Sequence, residues 1–261
     1  MTTKRISIIQ QAVDVLDCFT GEDSNLSLAD LNTMLEFPKS TIHRIVISLL
    51  DAGVLYYDQK TQQYSLGTKV LRWGGSLLNR LKIQDIVRSY LESFRNQTGE
   101  TATLTVLVGL KRMYLAQVES NSEIRMSVEL GKLLPLHAGA NGKVILAFAE
   151  QRLFDQVISE QSLPSLTDTT ITDKNQFREE LQRIREDGFA VSLGERVYDS
   201  VSVAAPLFSI SGELVGSIGL SGPVHRFTAE KAREWGPLIS KTAKEISRTM
   251  VWIPGEHLHS S

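Results

Sequence analysis

Cysteine is almost missing from this chain of 261 residues, which holds only Cys18. One cysteine cannot form an internal disulfide or a cysteine metal cluster, and its helical spacing with Val15 and Phe19 predicts a packed core thiol. The chain also lacks the run of ~18 apolar residues that a membrane-spanning helix needs. Its first residues, MTTKRISIIQ, lack the apolar segment and cleavage site of a secretory signal. We therefore expect a cytoplasmic protein with no membrane partner.

An excess of either charge is missing too, because the net charge is −2 at pH 7. A nearly neutral chain has no global basic field that attracts nucleic acid, so any DNA contact must come from a local arrangement. Hydrophobic residues make up 42% and charged residues 22%, which is ordinary for a globular protein and excludes a mainly disordered one. The length exceeds the ~100 to 200 residues of a usual domain, so we expect two domains.

Motifs of catalysis and cofactor binding are absent as well. The sequence has no P-loop, no G-x-G-x-x-G after a strand and no HExxH. His137 follows a proline-containing loop, but no G-x-S-x-G nucleophile motif lies near it. The tail histidines, His257 and His259, are too few for a metal site. We predict no catalytic residue, no metal and no cofactor.

What the sequence does contain begins with helical patterns near the N-terminus. Apolar residues at spacings of three and four in residues 6–19 predict an amphipathic helix whose stripe holds Ile9, Ala12, Val13 and Leu16. Ser27 is a good cap for a second helix, whose buried face is formed by Leu28, Leu31 and Leu35.

The stretch FPKSTIHRIVISLLDAGVLYYD, residues 37–58, predicts a third helix and the start of a hairpin. Pro38 suits the first turn of a helix and Gly53 ends it. After Gly53 the apolar period becomes alternating, in VLYYD and again in QYSLG, with polar residues between. Three short helices followed by a two-stranded hairpin form a winged helix-turn-helix, in which the last helix is free to enter a major groove.

The third helix carries short hydroxyls, cations and an imidazole on its polar face, and such groups reach base edges and phosphates. We predict DNA-binding residues in this helix and in the wing: Lys39, Ser40, Thr41, His43, Arg44, Lys60, Gln62 and Gln63. For a single residue such as Lys39 or Arg44, an ordinary solvated helix face is the competing interpretation. Residues 1–80 hold equal numbers of acids and bases, so non-specific affinity should be modest and sensitive to salt.

The rest of the chain alternates between helix and strand patterns. Residues 68–81 and 83–99 predict two helices, of which the first can connect two domains. Strand-like runs surround Gly109, the segment 122–130 offers a further strand, and a glycine-rich loop leads into the helix NGKVILAFA. A polar helix, two strands joined by the turn ISGE and an amphipathic helix follow. This order predicts an α+β domain rather than a parallel doubly wound sheet.

Three segments in this order resemble the IclR-type (isocitrate lyase regulator) family of transcriptional regulators. They are FPKSTIHRIVISLLDAGVLYYD, GKLLPLHAGANGKVILA, and LQRIREDGFAVSLGE with VAAPLFSISGELVGSIGLSGP. The resemblance covers about residues 6–250. It implies a winged helix-turn-helix over residues 1–67, a connector helix over 68–82 and a GAF-like α/β effector-binding domain over 83–253. The last residues, 254–261, are predicted to be a disordered tail.

The resemblance also implies a function. Such a regulator binds a pseudo-palindromic operator in double-stranded DNA, responds to a small organic acid, and forms a homodimer or a dimer of dimers. Carried over to this sequence, the effector site comprises Met126, Leu134, Ala140, Asn141, Ser192, Ser202 and Ser221. The backbone amides of Ala140 and Asn141 would hold a carboxylate at a helix start, and Met126 and Leu134 would form an apolar wall.

One departure from the family concerns the ligand. Members that sense two- and three-carbon oxoacids tend to carry an aspartate, a cysteine and two serines around this site, whereas this chain has Gly219 among its serines and Asp199 in place of an upstream glycine. A site that has lost a carboxylate and gained space at Gly219 favours a bulkier effector, an aromatic or sugar-derived acid. Two other functions stay open: an enzyme built on the C-terminal domain, and a ligand-binding adaptor whose winged helix docks protein.

Overall fold

The structure is a computed structural model that describes residues 8–20, 24–81, 83–160 and 163–249. Two compact units divide the chain between Arg80 and Leu81. The predicted tail over residues 254–261 lies outside the described residues. None of the helices in the described ranges is long and apolar enough for a membrane crossing.

The N-terminal unit consists of helices followed by a two-stranded hairpin and a last helix. Its elements are α1 (Ile8–Asp17), a short 3-10 helix (Cys18–Thr20), α2 (Leu28–Met34), α3 (Lys39–Asp51), β1 (Leu55–Asp58), β2 (Gln63–Leu66) and α4 (Thr68–Leu81). Ser27 and Asp30 form a capping box at the start of α2, because each side chain binds the other residue's backbone N–H. Pro38 directly precedes α3, and Gly53 ends it with a φ of 71°. The predicted winged helix-turn-helix is confirmed.

The core of this unit differs from the prediction at α1. Val15 is fully buried and packs with Phe19 against residues of α2, α3 and the hairpin. By contrast, Ile9 is 74% exposed and Val13 is 43% exposed, so only Ala12 and Leu16 of the predicted stripe pack against the core. Ala12, Val15 and Leu16 form the side of α1 that packs in the core of this unit. Ile8, Ile9 and Val13 form a second apolar face, which is exposed.

The C-terminal unit alternates between helices and strands. Its elements are α5 (Ile83–Thr98), β3 (Thr101–Val108), β4 (Lys111–Val118), β5 (Leu133–Pro135), α6 (Ala140–Phe148), α7 (Gln151–Glu160), α8 (Lys174–Asp187), β6 (Ala190–Leu193), β7 (Ser200–Phe208), β8 (Leu214–Pro223) and α9 (Ala229–Ser247). Good caps explain two of the helix ends: Asp173 accepts two backbone N–H groups at the start of α8, and Gly188 ends it with a φ of 77°.

One six-stranded antiparallel sheet organises this unit, with the strand order β5-β4-β3-β8-β7-β6. Helices α5 and α9 cover one face, where Leu91, Leu104, Val203 and Ile239 belong to a shared core. Helices α6, α7 and α8 belong to a second core on the other face, which includes Ala204 of β7. Because successive residues of a strand point to opposite faces, β7 contributes Val203 to the first layer and Ala204 to the second. The predicted α+β class is confirmed.

The segment 122–130, offered as a strand, contains none. The side-chain amide of Gln117 donates to the carbonyl of Val128 and accepts from its N–H, both at 3.0 Å. The Thr101 hydroxyl donates to the carbonyl of Met126 at 2.5 Å. Side chains therefore satisfy backbone groups that a strand would have paired in a ladder, and the short β5 pairs with β4 instead.

Candidate functional site

The exposed face of α3 holds the residues predicted to bind DNA. Lys39, Ser40, His43 and Arg44 are exposed and Thr41 is half-buried, while Ile42, Ile45 and Val46 on the opposite face are buried. Within the described part of the chain, no hydrogen bond or ion pair engages the side chains of Lys39, His43 and Arg44. The helix carries no acid before Asp51, its last residue. These side chains are therefore available to an anionic partner.

The hairpin places only part of its predicted set at the tip. Lys60 and Gln62 are exposed in the turn between β1 and β2. The turn is closed by Asp58, whose carbonyl accepts from the Gln62 N–H and whose carboxylate accepts from the Lys60 N–H, both at 2.8 Å. Gln63 is half-buried and begins β2 opposite Asp58, so it lies at the base of the tip.

A second candidate site lies in the C-terminal unit, where a cavity opens between the start of α6 and the sheet. Its lining consists of Arg112, Tyr114, Met126, Gly139, Ala140, Asn141, Ser192, Arg196, Ser200, Ser202 and Ser221. All the residues predicted for the effector site lie here except Leu134. The space open to the centre of a water-sized sphere is about 20 Å³, which is room for about one or two water molecules.

Three of the predicted serines form one row across the sheet. Ser192 of β6 lies opposite Ser202 of β7, and Ser202 lies opposite Ser221 of β8. Directly opposed residues of antiparallel strands project to the same face, so the three hydroxyls face the cavity together. The Ser202 Oγ accepts a hydrogen bond from the Ala140 N–H at 3.3 Å, which leaves its own O–H free to donate.

The start of α6 is already compensated by protein groups. One carboxylate oxygen of Glu195 accepts from the Gly139 N–H at 3.2 Å, and the other binds the Lys143 ammonium at 2.6 Å. Ser202 takes the Ala140 N–H, and the Asn141 side-chain oxygen accepts from Ser217 at 2.9 Å. In this state the Ala140 N–H is bound by Ser202, and the Glu195 carboxylate lies at the positive end of the helix. That the Ala140 and Asn141 amides hold a ligand carboxylate stays a prediction.

Lys143 is the centre of a buried ionic cluster behind the cavity. Its ammonium binds Glu195 at 2.6 Å, Glu180 at 2.7 Å and the carbonyl of Val191 at 2.9 Å. The side chain of Lys143 is 1% exposed and that of Glu195 is 7% exposed. This cluster joins α6, α8 and the segment after β6, and so fixes one wall of the cavity.

Two arginines that the sequence did not single out line the cavity. Arg112 is fully buried, and its Nε and Nη2 donate to the carbonyls of Pro135 and Ala138 at 3.2 Å each. Its Nη1 has no hydrogen-bond partner among the described residues. The guanidinium carbons of Arg112 and Arg196 lie 5.1 Å and 6.0 Å from the centre of the Tyr114 ring. The cavity is therefore electropositive.

This environment shifts the ionisation of the groups in it. Burial lowers the pKa of the Arg112 guanidinium. For the Tyr114 phenol, burial alone raises the pKa, but the positive charges of Arg112 and Arg196 outweigh burial and the net pKa is lowered. Burial also lowers the pKa of His137, whose Nε2 lies 2.9 Å from the carbonyl of Pro164. His137 does not line the cavity.

The absence of a side chain at Gly142, near the start of α6, leaves room for the Arg112 guanidinium. A Cβ on Gly142 would lie 2.5 Å from the carbonyl oxygen of Leu136 and 2.9 Å from the Nε of Arg112, closer than real Cβ atoms approach. A Cβ on Gly139 would lie 3.5 Å from the Nη2 of Arg112. A sequence signal for this site does exist: Arg112 and Tyr114 alternate in a strand beside a G-x-x-G loop, so both project to the face that the loop covers.

One prediction about the cavity is wrong and one stays a prediction. Leu134 lies on the edge strand β5 opposite Arg112 and is not among the lining residues, so its role as an apolar wall stays a prediction. Gly219 provides no extra space, because a Cβ there would lie 2.7 Å from the carbonyl oxygen of Val203 and 3.0 Å from the Asn141 Oδ1. The glycine allows α6 to approach the sheet closely, and it is not part of the lining.

Comparisons with known proteins identify the family of the chain. Residues 75–248 match the model described as the bacterial transcriptional regulator IclR C-terminal domain, and residues 9–59 match the IclR helix-turn-helix domain. The chain is 31% identical to the HTH-type transcriptional regulator BhcR of Paracoccus denitrificans over 93% of its own length and 86% of that relative. It is 27% identical to the HTH-type transcriptional repressor AllR of Escherichia coli K12, over 95% of the chain and 91% of the repressor.

Among solved structures, a putative IclR transcriptional regulator from Silicibacter sp. TM1040 is similar, with a TM-score of 0.86, 25% identity, and coverage of 93% of this chain and 96% of that one. The matched family domain spans more than half of the chain, and the named relatives are DNA-binding regulators rather than enzymes. The chain is a DNA-binding transcriptional regulator, not an enzyme, and it belongs to the IclR family.

Proposed function

We propose that this regulator is a cytoplasmic protein that controls a metabolic operon by binding a pseudo-palindromic operator, and that a small organic acid in the C-terminal cavity changes this affinity. One observation carries the proposal: a single chain combines an uncommitted polar face on α3 with a cavity lined by guanidinium and serine hydroxyl groups. The first suits phosphates and base edges, and the second suits a carboxylate.

In the proposed complex, α3 lies in the major groove and the wing lies beside it. Lys39, Ser40 and Thr41 are at the start of α3, where hydroxyls, a cation and the helix dipole suit a phosphate. His43 and Arg44 follow on the exposed face and are placed to reach base edges. Lys60 and Gln62 contact the backbone from the wing tip, whereas Gln63 supports the tip through its strand pairing.

The active species is proposed to be a dimer or a dimer of dimers. The N-terminal unit exposes large apolar side chains on two helices: Ile8 (52%), Ile9 (74%) and Val13 (43%) on α1, and Leu71 (76%) and Trp73 (49%) on α4. Such exposed apolar faces mark interaction surfaces. A second copy would cover them and would place two α3 helices about one DNA turn apart, ~34 to 36 Å.

The size of the cavity bears on the effector. Room for about one or two water molecules favours a compact acid over an aromatic or sugar-derived acid, because the walls need to move apart less to admit it. We therefore propose a compact organic acid, with the bulkier acids as the alternative that a ligand screen decides. Its carboxylate would lie on the guanidinium side and its other oxygens on the serine row.

The two activities are proposed to be coupled through α4. The predicted domains, residues 1–67 and 83–253, flank a connector of residues 68–82 that corresponds to this helix. The boundary between the compact units falls inside the connector, after Arg80. An effector that favours one spacing of the two α3 helices would change operator affinity by a coupling free energy of ~1 to 3 kcal/mol.

One experiment tests the whole proposal. The purified chain is titrated with a DNA fragment from upstream of its own or adjacent genes, against a scrambled fragment of equal length, at two salt concentrations. We expect preference for the genomic fragment and weaker binding at higher salt. A panel of organic acids is then added. The absence of any salt-sensitive preference for the genomic fragment would show the DNA part to be wrong.

Changing Ser202 to Leu should separate the two activities. The larger side chain fills space in the cavity and removes the central hydroxyl of the serine row. We expect acid binding to weaken about tenfold or more, since an unmade hydrogen bond to a charged group costs ~1.5 to 3 kcal/mol. Calorimetry measures the acid affinity and a gel shift measures operator binding, which should not change. Ser89→Leu, on the exposed surface of α5, is the matched control; equal acid affinity in both variants would remove Ser202 from the site.

A further inference from the structure

Building on the proposed effector site, we propose that the effector is a compact dianion, a dicarboxylate of about two to four carbons, and that Arg112 and Arg196 select it by its charge. The lining of the cavity contains two guanidinium groups and no carboxylate. A ligand with two negative charges would supply what the lining lacks.

Of the two arginines, Arg112 gives the stronger argument for an anionic ligand. It is fully buried, yet no acidic group lies within ion-pair distance among the residues that the structure describes. Its Nε and Nη2 are held by carbonyls, and its Nη1 has no partner there. A buried charge without a counter-ion is costly to keep. The guanidinium thus has one unused edge in a cavity, which is the arrangement that an incoming carboxylate completes.

The neighbouring acids are already matched by other cations. Glu195 is bound by Lys143 at 2.6 Å, and Glu180 is bound by Lys143 at 2.7 Å and approached by Arg183 at 3.6 Å. Glu180 and Glu195 are therefore paired with Lys143 and Arg183. Neither of these acids forms an ion pair with Arg112 or Arg196. Arg196 is half-buried, lies over the same Tyr114 ring as Arg112, and forms no ion pair with any described residue. Neither guanidinium therefore meets a carboxylate among the residues that the structure describes, and the aromatic ring that both approach is that of Tyr114.

The start of α6 offers fewer open donors than these arginines. The Gly139 and Ala140 N–H groups are already bound by Glu195 and Ser202, and the guanidinium groups are the charged donors in the lining. The row of Ser192, Ser202 and Ser221 supplies hydroxyl donors on the sheet. A compact dicarboxylate could meet both groups of donors, whereas an amide in place of one carboxylate would leave one guanidinium unmatched.

Matched pairs of probes test the charge directly on the full-length protein. Oxalate is compared with oxamate, and malonate with malonamate, by calorimetry at pH 7.5. Each pair has nearly the same shape and differs by one carboxylate. We expect at least one dianion to bind about tenfold or more tightly than its amide partner. An amide that binds as well as its dianion in both pairs overturns the inference.

Variants of the two arginines then show which residue is responsible for the preference for a dianion. Arg112→Met should reduce dianion affinity about a hundredfold, and Arg112→Lys, which keeps the charge but loses the fork, should restore part of it. Arg196→Gln should bring dianion and amide to similar affinities. Arg88→Met, at an exposed position on α5, should change nothing. Without ligand, Arg112→Met removes a buried unpaired charge but also the donors for the Pro135 and Ala138 carbonyls, so thermal unfolding of this variant is the control for its fold.

The outcomes separate this inference from the proposed function. Unchanged dianion binding in Arg112→Met overturns the role of Arg112. If Arg112→Met fails to fold, the Arg196→Gln variant and the probe pairs on the wild type still test whether the site selects a dianion by its charge. If monocarboxylates bind and lose affinity in Ser202→Leu while no dianion binds, the dianion inference is wrong and the proposed acid site stands. If no acid of either kind binds, both are wrong.

Discussion

Replacing Lys143 with Met should lower the free energy of unfolding of the C-terminal unit by about 3 to 5 kcal/mol, because it leaves a buried charge without its partner. The Lys143 ammonium contacts both Glu180 and Glu195, and the Glu195 side chain is only 7% exposed. Without the lysine, Glu195 would keep the Gly139 N–H as its remaining partner. An ion pair is a poor source of net stability, but removing one member of a buried pair is among the most damaging single changes.

The measurement is a urea titration of the full chain, followed by the fluorescence of Trp235. This residue packs edge-on against Phe94 at 6.4 Å between ring centres, so its emission reports on the core between α5 and α9. Because the chain has three tryptophans, Trp73 and Trp252 are changed to Phe in the background of every variant. The midpoint and slope then give the free energy of unfolding of this unit.

Two companion variants make the prediction specific. Lys132→Met removes an exposed partner of Glu129, whose side chain is 48% exposed, and should cost less than about 1 kcal/mol. Lys143→Met combined with Glu195→Gln should recover most of the loss, because the glutamine keeps an acceptor for the Gly139 N–H without the charge. Equal losses of unfolding free energy in Lys143→Met and Lys132→Met would contradict the prediction that Lys143 is the essential partner of a buried charge on Glu195.

The N-terminal unit could be predicted from sequence because its signals are local. Ser27 with Asp30, Pro38 and Gly53 mark helix ends, and the change from a helical to an alternating period at Val54 marks the hairpin. The error at α1 has a physical reason. The helix carries apolar residues around more than one face, and only the packing partners decide whether Val15 or Val13 becomes core.

The C-terminal cavity was predictable in part. The serines could be identified only through the resemblance, because Ser192, Ser202 and Ser221 come together through strand register across long stretches of chain. Arg112 was missed because periodicity treats a charge in a strand as solvent-facing, whereas this one lies under the start of α6 where Gly142 leaves room. The supposed space at Gly219 is used by the close approach of Asn141, which no sequence period encodes.

Replacing Arg44 with Ala should weaken operator binding about thirtyfold or more while leaving acid binding intact. A base-contacting arginine contributes ~1 to 3 kcal/mol, and the proposed dimer carries two copies. The physical reason is that Arg44 is exposed on α3 and no described residue pairs with it, so its guanidinium is uncommitted before DNA arrives. Fluorescence anisotropy with the genomic fragment measures affinity, and calorimetry with the strongest acid of the panel measures the effector site.

The salt dependence of the same titrations separates two roles for Arg44. If it holds a phosphate, Arg44→Ala should weaken all sequences alike and reduce the salt slope by about one for each copy; if it reads guanine, the slope should change little and discrimination should relax at one base pair in each half-site. Arg88→Ala removes an equal charge from exposed α5 and should do neither. Unchanged operator affinity in Arg44→Ala would mean that the exposed face of α3 is a solvated surface, and that the wing or another element reads the DNA.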